Sequence, residues 1–107
     1  MSTEKIRALN DAFRTTMTGG TVLMTAGINA MPSDVQARVI RRVATFSDFN
    51  NENDPHGEHD FGNFEVARRK MYWKIDYYDA TMEFGSEDPA DPSKTTRVLT
   101  IMLADDY

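Results

Sequence analysis

Residues 60–85 read DFGNFEVARRKMYWKIDYYDATMEFG. Apolar and polar side chains alternate through three successive runs of this stretch, which is the period of a strand with one buried face. Closing the first two runs through Ala67–Lys70 places Val66 opposite Met71, Phe64 opposite Trp73 and Gly62 opposite Ile75, all on one face. A second turn at Asp79 and Ala80 sets Tyr77 opposite Met82 and Ile75 opposite Phe84 on that same face. A slip of one residue would turn the apolar set to water, so the two turns agree on one surface. Gly62 marks a close approach or a bulge in its strand. Aromatic cross-strand pairs such as Phe64 with Trp73 contribute roughly 0.2–1 kcal/mol each, and helices covering the face supply the larger stabilisation.

Working outward, Ile6, Leu9 and Phe13 follow helical spacing with Glu4 in the first turn, which predicts a helix from about Thr3 to Thr16. Gly19 and Gly20 break it, and Thr21–Thr25 is β-branched and apolar enough to add a strand to the meander. Ser33 with Gln36 forms a capping box, and Val35, Val39 and Val43 carry a second helix to about Ala44, with Phe46 closing its stripe. From Ser47 to Asp60 the rhythm stops in a loop of turn formers, and a loop of that length is functional or disordered. Asp91 and Pro92 suit a helix start. The final run, TTRVLTIMLADDY, then reads as a helix with Val98, Leu99, Met102 and Leu103 on one stripe, although its Thr and Ile content also allows a strand. The fold class is α+β: a small antiparallel sheet, built as a three-stranded meander plus one N-terminal strand, packed against two or three helices in a single domain.

With 107 residues the chain can bury about 60–70% of the surface its unfolded form exposes, enough for a core without staples. There is no cysteine, which removes disulfides, thiolate metal sites and a cysteine nucleophile. Met1–Lys5 runs into the first helix without an apolar leader, and no apolar run reaches membrane-spanning length. The expected setting is cytoplasmic. Seventeen acids against twelve Lys and Arg give a net charge of −5, which argues against the basic footprint of direct nucleic-acid binding. The signs are unevenly spread: Asp48–Asp60 holds five acids and no Lys or Arg, whereas Arg38, Arg41 and Arg42 cluster, as do Arg68, Arg69 and Lys70.

Three constellations carry candidate chemistry. The segment DPHGEHD, residues 54–60, offers His56, Glu58 and His59 as ligands for a divalent metal, with Asp76 or Glu83 completing the set, although the spacing matches no established signature. The register extended upstream puts His59 opposite Tyr78 on the outward sheet face. That face presents Tyr72, Lys74, Asp76, Tyr78 and Glu83 as a binding surface, with Asp76 opposite Glu83 and Lys74 diagonal to relieve the like charges. Arg38, Arg41 and Arg42 form an anion-binding candidate on the second helix. No phosphate-cradling glycine loop, flavin or nucleotide fingerprint, or serine-nucleophile motif occurs.

At EHDFG, WKIDYYD, GSEDPADP and TTRVLTIMLADDY the sequence resembles a family of short bacterial proteins, mainly alphaproteobacterial, classed as a domain of unknown function. The resemblance implies a bacterial cytoplasmic protein from a mobile-element setting, in which an accessory or anti-defence role is conceivable. It brings no catalytic residues. The residues favour a binding or regulatory protein that works through protein contacts over an enzyme. The alternative is a metal-dependent, hydrolase-like enzyme using His56, Glu58 and His59, and a homodimer through the sheet is a third option.

Overall fold

Ser2 begins the first element by accepting the Lys5 amide on its hydroxyl at 3.2 Å, a side-chain cap for helix α1 (Thr3–Thr16). The computed structural model describes residues 2–107. Met17 ends α1 in the left-handed region, at φ 57°, and returns its amide to Phe13 O at 2.7 Å. Strand β1 (Thr21–Met24) follows, then a short helix α2 (Ala26–Asn29) that the sequence reading had not foreseen, and helix α3 (Ser33–Ala44). Three further strands complete the chain: β2 (Phe61–Val66), β3 (Arg69–Tyr78) and β4 (Thr96–Leu103), with a 3-10 turn at Ala104–Asp106.

The four strands form one sheet in the order β1-β4-β3-β2, giving the α+β class that the alternation implied. The meander exists, but its third strand is β4 and not residues 81–85. In that turn Asp79 Oδ1 accepts from the amides of Thr81 and Glu83 and from the Thr81 hydroxyl, and Met82 turns left-handed at φ 62°. An Asx turn thus takes the backbone groups a strand would need. The expected C-terminal helix is likewise corrected to a strand. Asp91 does cap, but it receives Ser93 N and Ser93 Oγ in another local turn, so no helix grows from it. β4 lies between β1 and β3 and buries Val98 and Met102 on one face, and Leu99, Ile101 and Leu103 on the other. A central strand buried on both faces reads as a continuous apolar run, which imitates a helical stripe.

The sheet is mixed, because β1 runs parallel to β4. The β2–β3 register is offset by two residues from the expected one: Phe64 pairs with Met71 and Gly62 with Trp73. The hairpin closes through Ala67 and Arg68 alone, both left-handed at φ 53° and 64°, the geometry of a tight primed turn. A shift of two keeps every side chain on its assigned face while changing its partner. α1 and α3 cover the face of Phe64, Val66, Met71, Trp73, Ile75, Leu99 and Ile101. Phe13, Ile28, Val39 and Val43 fill the space beneath, and each such side chain fully withdrawn from water contributes about 1.5–3 kcal/mol. The Ser33–Gln36 capping box does not form. Pro32 takes the cap position, and Gln36 instead donates to the carbonyls of Asn29 and Met31 at 3.0 and 2.9 Å, fixing the α2–α3 junction.

Candidate functional site

The two faces of the sheet carry different chemistry. Under the helices, α1 presents Arg7, Asn10, Asp11 and Arg14 in helical spacing, and these tie down the 47–60 loop. Arg7 Nη1 donates to Gly57 O at 3.3 Å and Asn10 Nδ2 to Glu58 O at 3.0 Å. Asn10 Nδ2 also reaches Tyr77 Oη at 2.8 Å, Tyr77 in turn donates to Glu58 Oε1 at 2.7 Å, and Arg97 Nε donates to Asn10 Oδ1 at 2.8 Å. Burial pushes the Tyr77 phenol well above its ordinary value, so it stays a donor. Arg14, only 3% exposed, donates through Nη1 to the carbonyls of Val43 and Phe46 at 2.8 and 2.9 Å. Burial lowers its pKa and Asp11 opposes the shift.

His59 belongs to this inner network and not to the outward face. At φ 55° it turns under the loop, stacks on Phe49 with ring centres 3.7 Å apart, and places Nδ1 2.9 Å from Asp11 Oδ1. Its Nε2 lies 3.6 Å from Asp54 Oδ2. Glu58 is engaged by Tyr77, while His56 is exposed on the turn. The three side chains have separate surroundings, and among the described residues no group of three His, Asp or Glu is placed to hold a metal ion. The 47–60 segment, expected to be functional or disordered, is ordered by an Asx turn at Asn50 and by Asp54 Oδ1 accepting the His59 amide, and it packs through Phe49 on Phe46 and Trp73.

The outward face has no helix over it. Tyr72, Lys74, Asp76 and Tyr78 of β3 lie on it, as expected, but Glu83 does not oppose Asp76. Asp76 faces Val98, and Lys74 Nζ meets Asp76 Oδ2 at 3.1 Å, a hydrogen bond that raises the Lys74 pKa. Glu83 sits in the exposed 79–85 turn. Around the Lys74–Asp76 pair the face is apolar and aromatic: Leu23 from β1, Val98 and Met102 from β4, and Met82 from the turn line one open concavity of about 560 Å³. Tyr107 separates it from a second, of about 520 Å³, lined by Phe61, Tyr72, Asn50, Glu52 and Asn63. Phe61, Tyr72 and Tyr107 form an aromatic cluster with ring centres 5.4–6.3 Å apart. Arg38, Arg41 and Arg42 lie elsewhere, on the exposed side of α3 beside the β2–β3 turn.

Sequence reasoning missed Asn10, Arg14, Tyr77 and Arg97 as one network. Its signal was the polar stripe running beside Ile6, Leu9 and Phe13 on α1. It also missed Leu23, Phe61, Met82, Met102 and Tyr107 on the open face, because these were assigned to other elements or to none.

The geometry defines a class: a small α+β domain with one sheet face sealed by helices through a buried polar network and the other bare of α-helices, although Val98 and Met102 of β4 are buried there. The chain belongs to the family described as protein of unknown function (DUF3768), whose family model matches residues 24–106. No curated protein and no solved structure matches the chain. No helix among the described residues is long and apolar enough to cross a membrane.

Proposed function

We propose that this chain is a binding protein that docks a protein partner on the bare face of its sheet. The observation that carries the reading is the composition of that face. Leu23 is 50% exposed, Met82 47% and Tyr107 74%, next to Phe61, Tyr72 and Tyr78 and with a single ion pair among them. Aromatic residues and methionine with few charges are the signature of an interface centre, and contiguous apolar surface on a domain marks an interaction site. The rim is acidic, with Glu52 beside one concavity and Asp106 beside the other, while the charge of Asp76 is offset by Lys74. Docking the face on a second copy would bring like rims together, so charge complementarity favours a partner with basic residues around an apolar centre. Such a partner fits the accessory or anti-defence role that the family resemblance suggested, in which an acidic surface occupies a basic groove.

Affinity capture from a cell extract with the wild-type chain and with a folded Leu23→Glu, Met82→Glu variant tests the reading. A protein retained by the wild type, released by added salt and absent from the variant supports it. The same proteins captured by both chains would remove it. Light scattering that shows a concentration-dependent dimer, broken by the variant, would reassign the face to a second copy.

A further inference from the structure

Two basic clusters far apart in the sequence meet in the fold. Arg38, Arg41 and Arg42 project from the second half of α3, and the β2–β3 turn brings Arg68 to the same recess of about 210 Å³, completed by Glu65, Val66 and Ala67. Arg69 and Lys70 continue from the turn and are exposed. Among the described residues none of these six cations forms an ion pair, although acids outnumber Lys and Arg by seventeen to twelve in the chain. Arg38 and Arg42 stand one helical turn apart, a spacing at which like charges repel.

Two details describe how the recess is built. Arg42 Nη1 donates to Glu65 O at 3.0 Å and its guanidinium lies 5.8 Å from the Phe64 ring centre, so one fork is fixed in place with most of its donors unspent. Arg68 sits at φ 64° in a turn whose geometry favours Asn-Gly. The turn requires the left-handed region at both Ala67 and Arg68, and it is this turn that carries Arg68 to the recess.

We infer that this recess binds a phosphoryl group. Four arginines set against the one carboxylate of Glu65 leave a surplus of positive charge. One carboxylate ligand would need a single fork, whereas a phosphoryl dianion with three acceptor oxygens takes several. The volume is below that of ordinary small-molecule pockets, which suits a single phosphoryl group. The site is separate from the bare sheet face and stands without the protein-docking reading.

The test follows the arginine Nε–H signals by NMR, in sodium chloride at physiological strength, during titration with inorganic pyrophosphate and with a phosphoserine peptide. Saturable shifts confined to Arg38, Arg41, Arg42 and Arg68 are expected. Arg41→Ala should weaken binding about tenfold or more. Arg68→Gly relieves the turn, so it should raise Tm by about 4–8 °C while weakening binding by a similar factor, which separates the site from the fold. Tighter binding of the peptide assigns the phosphoryl group to a partner chain, and equal or tighter binding of pyrophosphate assigns it to a free ligand. Absence of saturable shifts with both probes, or affinity unchanged in Arg68→Gly, overturns the inference.

Discussion

Arg14 ends two helices at once. It sits in the last turn of α1, where a cation suits the helix dipole, and its guanidinium takes the carbonyls of Val43, Ala44 and Phe46 as α3 finishes. Its Cζ lies 5.0 Å from the Trp73 ring centre and 5.4 Å from that of Phe49, so charge, fork geometry and cation–π contact all act at one buried point. Lysine offers one ammonium in place of the fork and cannot span those carbonyls. Arg14→Lys should therefore cost about 2–4 kcal/mol in urea denaturation, and a loss below the error of the measurement would show the fork to be dispensable. Gly62 is decided by space. A methyl group there would stand 2.7 Å from a Phe46 ring carbon and closer still to Trp73 Nε1. Gly62→Ala should destabilise by about 1–3 kcal/mol through overpacking, with the Trp73 emission shifting as the ring moves. The role of Gly62 was legible from its place in an alternating strand. That of Arg14 was not, because a basic residue in a last helical turn looks the same whether it faces water or a core.

At the scale of elements, α1, β1, α3 and the β2–β3 hairpin were legible because each buries one face, so its periodicity is written in the sequence. β4 and the 79–85 turn were not. β4 buries both faces and loses its alternation, while Thr81–Phe84 keeps an alternation that Asp79 overrides with three local hydrogen bonds. The outward-facing residues of β3 were therefore placed on the right face with a wrong neighbour for Asp76, Glu83 in place of Val98. The 47–60 loop escaped for another reason: its partners, Arg7, Asn10 and Asp11, lie far away in sequence. Asp60, at the end of that loop, has its pKa raised, first by burial and then by the nearby Glu58 charge. A raised folded-state value means that the fold prefers the protonated acid. Asp60 therefore contributes stability that is present below the ordinary carboxylate range and lost as pH rises through the folded value. Asp60→Asn should raise Tm at pH 7, and its advantage over the wild type should shrink as pH falls towards 4. A constant difference across that window would mean that the effect is not electrostatic.

Across the whole molecule, the family match and the physical domain have different limits. The match begins at Met24, the last residue of β1, and leaves α1 and the rest of β1 outside. Yet Ile6 and Phe13 of α1 are 1% and 2% exposed, Asn10 joins Tyr77 on β3 to Arg97 on β4, and Arg14 closes α3. Without α1 the buried face of the sheet would open to water along one side. Glu58 and Arg97 would lose Asn10, and the carbonyls at the end of α3 would lose their donor. Ile6 and Phe13 alone account for about 3–6 kcal/mol of burial at 1.5–3 kcal/mol each, and unsatisfied polar groups cost about 1–3 kcal/mol apiece. A domain with about 5–15 kcal/mol of net stability does not survive both losses together. A fragment of residues 24–106 is therefore expected to show no cooperative thermal transition and narrow amide dispersion in NMR, whereas the full chain unfolds in one step. A folded fragment with wide dispersion would make α1 an accessory, and would transfer the sealing of the inner face to α3 and the 47–60 loop.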